Sequence, residues 1–355
     1  MTYLMKDILK EPGELIRCLE FTTGEGRGAL EEAAALIADT PHVYITGIGS
    51  SWHAGMAVAS LFGRSGIQVT LLDASELLHF TTLPQDSLCL LLSRSGESIE
   101  IVKLLDKMEA ASCRTIAVTN TPESTLARRA DVVLHTSAAF DHLISITMYS
   151  VLCLVGGLLA CEAAGRLGSE LVEDLRRSLN ECAERIPAWR EAVEGNDWFS
   201  KDAPVYFLGR GTGQASAYET RLLWEEAAKA PASSYSTGGF RHGPQEIVEA
   251  GLRIGLWIPR ETLRKEDLLL AGDLRRMGAK TLLIGQKLQP ETADCVLSIP
   301  PIAGEWQFLT EIIPAQVCAE YISRVRGMDC DTFRACQYIV SAEGGLSSAD
   351  DPPRQ

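Results

Sequence analysis

The stretch Leu91–Glu100, Leu-Leu-Ser-Arg-Ser-Gly-Glu-Ser-Ile-Glu, decides how this chain is interpreted. Its apolar start closes a predicted buried strand over 88–92, and a helical pattern begins at its isoleucine. The first amides of a helix have no intrahelical acceptor, and the helix dipole attracts anions there. A helix cap, the alternative interpretation, needs only one serine. The hydroxyls of Ser93, Ser95 and Ser98 therefore predict a binding site for a phosphate monoester.

The same strand–turn–helix pattern recurs along the chain. Strands are predicted at 43–49, 69–73, 115–119 and 132–135, and again at 205–209, 254–258, 280–284 and 296–299, with helices between them. The two halves open alike, with Tyr-Ile-Thr-Gly-Ile-Gly at 44–49 and Tyr-Phe-Leu-Gly-Arg-Gly at 206–211. We therefore predict an α/β fold with two tandem doubly wound parallel-sheet domains, flavodoxin- or Rossmann-like in type.

The domain boundaries follow from this repetition. We predict an N-terminal helical segment over 1–25, a first domain over 26–196, a second over 197–345 and a polar C-terminal tail over 346–355. Only the first domain has the serine-rich loop, so we assign phosphate binding to it.

Composition excludes several classes of protein. The net charge of −14 argues against a nucleic-acid partner, which needs clustered Lys and Arg. The ten cysteines are scattered without a Cys-x-x-Cys pair, which predicts reduced thiols in a cytoplasmic protein. The long segment 144–165 contains too many polar residues for a membrane helix and is predicted to be a buried core helix. The histidines have no metal-ligand spacing, so we expect no metal.

The first strand–helix turn invites a dinucleotide-binding interpretation. Gly47 and Gly49 follow a strand, and Asp73 ends the next one. However, Trp52 stands where the third glycine of that fingerprint allows close helix–strand packing. We therefore predict no nucleotide cofactor, and sugar-phosphate binding at the same strand ends is favoured.

Acid–base chemistry is predicted between residues 219 and 244. Glu219 and Glu226 lie seven residues apart on a predicted helix over 216–230, so they share a face. His242 follows an extended, turn-rich segment over 233–240 and precedes Gly-Pro, which rigidifies its loop. A carboxylate and a histidine form a plausible acid–base pair. The alternative is a solvated helix glutamate and an ordinary loop histidine.

Together these residues resemble the sugar isomerase (SIS) domain family. The resemblance is closer to the isomerase half of glucosamine-6-phosphate synthase and to the stand-alone fructosamine-6-phosphate deglycases. The matching stretches extend across most of the chain: 47–55, 75–76, 93–98, 209–226, 242–244 and 327–343. The serine loop and His-Gly-Pro are the most specific of them.

The resemblance implies a role for each candidate residue. It places the sugar phosphate on Ser51, Ser93, Ser95 and Ser98, with Arg94 as a further binding residue where the synthase has glutamine, and it places Asp141 near the sugar. It makes Glu226 the general base, with Glu219 on the same helix face, and His242 the ring-opening group. In the family this histidine enters the neighbouring subunit's site, which implies a homodimer or a dimer of dimers.

Three departures from the synthase narrow the predicted reaction. Tyr338 falls where the synthase has its imine-forming lysine, and Leu223 falls on another active-site lysine. No glutaminase segment precedes the first domain, so we expect no glutamine hydrolysis. We therefore predict a metal-independent isomerase or deglycase for a fructosamine 6-phosphate type of substrate. The alternatives are an aldose–ketose isomerase, an amino-sugar-phosphate deaminase/isomerase and a non-catalytic sugar-phosphate sensor.

Overall fold

The computed structural model describes residues 1–346, and the predicted tail from residue 347 onward lies outside them. The chain forms two compact units. One consists of Met1–Gly13 and Glu173–Asp331, and the other of 14–172 with 332–346. The chain passes between units within its first helix and within the helix Ser169–Val193. The predicted boundaries at 25/26 and 196/197 stay predictions.

The first half of the chain alternates strands and helices, as predicted. Its elements are α1 (Tyr3–Thr23), α2 (Arg27–Ala38), β1 (His42–Gly47), α3 (Ser50–Arg64), β2 (Val69–Asp73), α4 (Ala74–Phe80), β3 (Ser87–Leu92), α5 (Ile99–Ala110), β4 (Arg114–Thr119), α6 (Thr125–Arg129), β5 (Val132–His135), α7 (Thr147–Ala163) and α8 (Ser169–Val193). The short helices α4 and α6 were not predicted.

The first sheet is parallel throughout, with the order β2-β1-β3-β4-β5. Its central strand β3 is buried at all six positions, because helices cover both faces of such a sheet. The apolar run at 88–92 therefore belongs at the centre of the sheet, and the serine loop leaves from its carboxyl end.

The second half repeats this alternation. Its elements are β6 (Val205–Gly209), α9 (Thr212–Ala228), β7 (Ser233–Ser236), α10 (Thr237–Phe240), β8 (Arg253–Ile258), α11 (Arg264–Arg276), β9 (Lys280–Gln286), β10 (Cys295–Ile299) and α12 (Phe308–Arg326). The sheet order is β10-β9-β8-β6-β7, with all pairs parallel. Counted from its own first strand, this is the same 2-1-3-4-5 order as in the first sheet. The predicted fold class is confirmed.

Two local predictions in the second half differ from the structure. Helix α9 begins at Thr212, four residues before the predicted start. The segment 233–240, predicted to be extended and turn-rich, contains the short strand β7 and the helical turn α10. Strand β7 contains three serines and has no apolar pattern; it forms because its backbone pairs with β6, from Tyr206↔Ser233 to Gly209↔Ser236.

The long apolar helix α7 is a core helix. Every residue from Thr147 to Cys161 is buried. Within residues 1–346, no helix combines the length and the apolar character needed to cross a membrane.

Candidate functional site

The turn from β1 into α3 is built on two glycines. A methyl group on Gly47 would lie 2.7 Å from the Ser51 carbonyl carbon, so the strand and helix approach too closely for a side chain. Gly49 has φ 57° and ψ −128°, a conformation that glycine adopts readily. This turn places Ser51 in the first turn of α3, where its side chain is half-buried.

The serine loop after β3 is ordered by its own side chains. The Oγ of Ser93 accepts the Gly96 amide at 3.0 Å, and the Oγ of Ser95 accepts the Glu97 amide at 3.3 Å. Ser93 and Ser95 are buried. Ser98 precedes α5, and within the described residues its side chain makes no capping hydrogen bond to that helix. Two of the three serines therefore shape the loop, while the third stands at the helix start.

Gly96 and Glu97 hold the loop close to the start of helix α6. Gly96 has φ 63°, and a methyl group on it would lie 2.3 Å from Ser124 Oγ. The Glu97 carboxylate accepts the Thr125 amide at 2.6 Å and the Thr125 hydroxyl at 2.9 Å. The glycine and glutamate of the loop motif are thus used to build the loop.

Both predicted phosphate-binding segments lie at one place in the first sheet. Strands β1 and β3 are neighbours, and Ser51 and the Ser93–Ser98 loop follow their carboxyl ends. In a sheet of order 2-1-3-4-5, the connections leaving these two strands run to opposite faces. The crevice at such a switch point is where open α/β sheets bind ligands.

Arg94 is held by three hydrogen-bond acceptors and one aromatic ring. Its Nη1 donates to Ser145 Oγ at 3.1 Å and to the Leu143 carbonyl at 3.3 Å. Its Nη2 donates to the Tyr338 carbonyl at 2.8 Å, and its guanidinium carbon lies 4.1 Å from the centroid of the Tyr338 ring. The cation is therefore fixed beside the loop.

The C-terminal segment, residues 338–343, contacts the start of α5. The amide of Ile99 donates to the Val340 carbonyl at 3.1 Å. The Glu343 carboxylate pairs with His79 Nε2 at 2.9 Å and with Lys103 Nζ at 2.6 Å. The Ile99 amide, which the sequence predicted to be open to an anion, is taken by a backbone carbonyl in this arrangement.

Asp141 lies at the start of α7. Its buried carboxylate accepts amides from Ile146 at 2.9 Å, Thr147 at 3.2 Å and Met148 at 2.9 Å. These bonds satisfy orphan donors at a helix N-terminus, where negative charge is favoured. The structure thus gives Asp141 a capping role, and its predicted contact with the sugar stays a prediction.

The candidate acid–base residues lie in the other unit, where the turn from β6 into α9 repeats the geometry after β1. Gly211 has φ 54° and ψ −130°, and a methyl group on Gly209 would lie 2.2 Å from the Gly213 carbonyl oxygen. Helix α9 carries Glu219, which is 1% exposed, and Glu226, which is half-buried. Both carboxylates are on one helix, as predicted.

Helix α9 ends next to Glu226. Lys229 terminates it in a left-handed conformation, with φ 51°. The Lys229 ammonium donates to the Glu226 carbonyl at 2.7 Å and to the Asp329 carbonyl at 2.8 Å. Leu223 is fully buried, so the position that carries a lysine in the synthase here contributes to the core.

His242 follows the helical turn α10 and is exposed. Its amide donates to the Gly239 carbonyl at 3.1 Å, which extends that turn. Gly243 has φ 127°, and Pro244 then begins a short 3₁₀ helix. The sequence predicted a rigid loop from Gly-Pro alone, and the preceding helical turn adds to it.

One buried carboxylate was not singled out by the sequence analysis. Glu311 on α12 accepts the Ser216 hydroxyl at 2.8 Å and the Gln307 side-chain amide at 2.7 Å. Burial raises the pKa of Glu311 to about 7. A methyl group on Gly213 would lie 3.3 Å from its Oε1, so Glu311 lies beneath the glycine turn. The sequence feature that could have indicated this buried carboxylate is a glutamate among the mostly apolar residues 308–313.

The remaining titratable groups show no metal site. Residues 1–346 hold no group of three or more His, Cys, Asp or Glu side chains suited to a metal ion. Nine of the ten cysteines are buried thiols, and Cys336 is exposed. Burial raises the pKa of Cys18 to about 12, which leaves it a protonated core residue.

Comparison with known proteins gives a family match over part of the chain. Residues 36–160 match the model of the SIS domain family. This match confirms the predicted resemblance to the SIS family over these residues.

The most similar relatives include two isomerizing glutamine–fructose-6-phosphate aminotransferases. The one from Shouchella clausii is 28% identical over 354 residues, and the one from Pyrobaculum aerophilum is 26% identical over 353 residues. Each match covers 96% of this chain and 58% of the relative. The chain thus spans little more than half the length of the curated relatives it matches.

Solved structures share the fold over nearly the whole chain. The C-terminal domain of glucosamine-fructose-6-phosphate aminotransferase from Francisella tularensis has a TM-score of 0.82 at 21% identity, covering 93% of this chain and 97% of that one. Tagatose-6-phosphate ketose/aldose isomerase from Escherichia coli has a TM-score of 0.80 at 20% identity, covering 93% and 94%.

Proposed function

We propose that this protein is a sugar-phosphate isomerase or deglycase acting on an amino-sugar phosphate of the fructosamine 6-phosphate type. The observation that carries the proposal is the serine loop at the β1/β3 switch point, where Ser98 and Ser51 stand at two helix starts. Helix N-termini with hydroxyl groups favour a phosphate dianion. The relatives are named as aminotransferases of fructose 6-phosphate, which supports the same substrate class.

The proposed reaction begins at C1 of the open-chain ketose. The Glu226 carboxylate removes a C1 proton while His242 protonates the C2 oxygen, which gives an enaminol. Glu226 then returns the proton to C2, and a C1=N imine forms. Water adds to C1, the C–N bond breaks, and the amine and glucose 6-phosphate leave. Proton abstraction beside a carbonyl suits a positioned carboxylate.

The residues at two positions favour deglycation over synthesis of an amino sugar. Tyr338 and Leu223 stand where the resemblance places lysines, and neither side chain forms an imine. A fructosamine already carries its nitrogen on C1, so the enzyme needs no lysine to supply one. This is why we favour the deglycase over a plain aldose–ketose isomerase.

A ligand and product screen tests the proposal. The purified protein is heated with glucose 6-phosphate, fructose 6-phosphate, glucosamine 6-phosphate or a fructosamine 6-phosphate, because a ligand of the native state raises its melting temperature. Release of glucose 6-phosphate from the fructosamine phosphate alone supports the deglycase. Isomerisation or ammonia release supports the isomerase or the deaminase. Stabilisation without turnover indicates a sensor, and no stabilisation contradicts the phosphate site.

Substitution of the base separates enzyme from sensor. Glu226→Gln is expected to lower kcat by at least about 10³-fold, while the Kd for fructose 6-phosphate changes little. Glu225→Gln is the matched control, since Glu225 is half-buried on the same helix and pairs with Arg221 at 3.0 Å. Equal turnover in both variants would contradict the assignment of Glu226.

We also propose a homodimer, because the resemblance places His242 in the neighbouring subunit's site. Glu226→Gln and His242→Ala subunits, each inactive alone, are mixed after partial unfolding and refolded together. A site completed by two subunits regains up to about a quarter of wild-type activity in the mixture. A monomer by light scattering, or no regained activity in a mixed dimer, contradicts this arrangement.

A further inference from the structure

An ion pair lies at the carboxyl edge of the second sheet. Arg210 directly follows β6, and Asp267 lies in the first turn of α11. Arg210 Nε donates to Asp267 Oδ1 at 2.8 Å. The side chain of Asp267 is 1% exposed and that of Arg210 is 22% exposed. The pair is therefore largely shielded from water.

Stability alone is a weak reason for this pair. Among the described residues, Asp267 Oδ2 is buried without a hydrogen-bond partner. Burying a carboxylate with one unsatisfied oxygen costs free energy that a single hydrogen bond offsets only in part. Burial accordingly raises the pKa of Asp267, against the opposing effect of Arg210. A role other than stability is therefore considered for the Arg210–Asp267 pair.

The guanidinium of Arg210 lies near the turn that carries His242. A methyl group on Gly238 would lie 3.6 Å from Arg210 Nη1. The Gly238 carbonyl accepts the Arg241 amide at 3.2 Å, and the Gly239 carbonyl accepts the His242 amide at 3.1 Å. These two glycine carbonyls hold the backbone before and at His242, and the guanidinium of Arg210 lies near the first of the two glycines.

The other anchors of this turn act at its beginning and middle. Ser236 Oγ accepts the Gly239 amide at 2.9 Å, and the ring of Phe240 is fully buried in the core. Arg241 and His242 form the exposed end of the turn. Two adjacent glycines have the largest conformational entropy to lose, so support from a neighbour matters most here.

We propose that Arg210 and Asp267 are positioning residues that hold the Gly238–His242 turn in place, with Asp267 fixing the guanidinium and the guanidinium supporting the turn. This rests on the proposed function only in taking His242 as the acid. The pair touches the loop and not the substrate, so its loss is expected to lower kcat more than it changes KM.

Amide hydrogen exchange tests the proposal without any assay of activity. Arg210→Met is expected to speed exchange at the Arg241 and His242 amides about tenfold or more, and Asp267→Asn by a smaller factor. Arg210→Lys keeps the charge and is expected to restore part of the protection. Arg260→Met is the matched control, because Arg260 lies at the same sheet edge and donates to the Ile302 carbonyl at 3.1 Å.

The kinetic arm uses the same variants. In Arg210→Met we expect kcat to fall about tenfold to a hundredfold, with KM within about twofold of wild type. Unchanged exchange at Arg241 and His242 in folded Arg210→Met and Asp267→Asn overturns the proposal. A large rise in KM also overturns it, since it would mean contact with substrate. If no sugar phosphate is turned over at all, the proposed function fails, and the exchange result still decides the positioning role.

Discussion

The guanidinium of Arg94 stacks on the ring of Tyr338 at 4.1 Å and donates to the same residue's carbonyl at 2.8 Å, across 244 residues of sequence. These are two of the positions at which the chain departs from the synthase pattern, which has a glutamine and a lysine there. In the structure the two departures contact each other. Arginine on an aromatic face is a favourable pair, so the changes form one feature of the loop.

Removal of the Tyr338 ring is expected to weaken phosphate binding. Tyr338→Leu loses a contact of about 0.5–1 kcal/mol, so the Kd for fructose 6-phosphate should rise about two- to fivefold, because Arg94 must then be ordered on binding. Tyr338→Phe keeps the ring and should bind like wild type. Calorimetry measures both, and equal affinities of the two variants would contradict this role for the ring.

The serines of the loop are expected to separate into structural and binding groups. Ser93→Ala leaves the buried Gly96 amide without its acceptor and should lower the free energy of unfolding by about 1–3 kcal/mol. Ser98→Ala removes a hydroxyl that makes no capping hydrogen bond within residues 1–346, so stability should change by less than about 0.5 kcal/mol.

Binding should show the complementary pattern for Ser98. Loss of a hydrogen bond to a phosphate corresponds to about tenfold or more in Kd. Urea unfolding and calorimetry on both variants provide the two measurements. A destabilised Ser98→Ala variant with unaltered affinity would mean that Ser98 caps helix α5 and does not bind the phosphate.

Gly96 is expected to tolerate no side chain. Gly96→Ala combines a left-handed backbone with a methyl group 2.3 Å from Ser124 Oγ, and should lower the free energy of unfolding by more than about 2 kcal/mol. Gly66→Ala is the control: its φ is also positive, at 78°, and its methyl group meets no atom within 4 Å among the described residues. The difference between the variants, by urea unfolding, measures the clash. Equal losses would show that backbone strain alone matters.

Glu311 is expected to make stability fall as pH rises. Its pKa is about 7 in the folded protein and near 4.5 when unfolded, so between these values the folded state keeps a proton that the unfolded state has released. Each pKa unit corresponds to about 1.4 kcal/mol, so the loss from pH 4.5 to pH 7 is of the order of 3 kcal/mol.

Glu311→Gln is the variant that isolates this effect. The amide can still accept from Gln307 and donate to the Ser216 hydroxyl, so the network is kept while the titration is removed. Relative to wild type, the variant should gain stability between pH 4.5 and pH 7. Urea unfolding across this range checks the slope, and parallel curves for the two proteins would refute the shifted pKa.

The C-terminal segment is expected to loosen when Glu343 loses its charge. The hydrogen bonds from Lys103 and His79 lower the pKa of Glu343, and both are surface contacts that salt screens. Glu343→Gln, and wild type in high salt, should be cut faster by chymotrypsin after Tyr338. Glu109→Gln removes a comparable surface pair with Arg129 and should be cut at the wild-type rate. Unaltered cleavage of Glu343→Gln would contradict this anchoring.

The sequence predicted most of the fold because its signals are local. The six buried residues of β3, the long apolar run of α7 and the glycine turns at 47–49 and 209–211 each indicate their environment through hydrophobicity or backbone freedom. Strand β7 was not predicted from the sequence, because its serines form a strand only through backbone pairing with β6. Backbone pairing between two segments does not depend on side-chain type, so it cannot be predicted from the residues of one segment.

The sequence by itself named the candidate residues: serines at a strand end, two carboxylates on one face of a helix and a histidine before Gly-Pro. Tertiary structure decided what each residue does there. The carboxylates of Asp141 and Glu97 accept amides at neighbouring helix starts, Arg94 stacks on Tyr338, and Arg210 pairs with Asp267. Hydrogen bonds and ion pairs depend on distances of about 3 Å between segments remote in sequence, and only the folded chain fixes those distances.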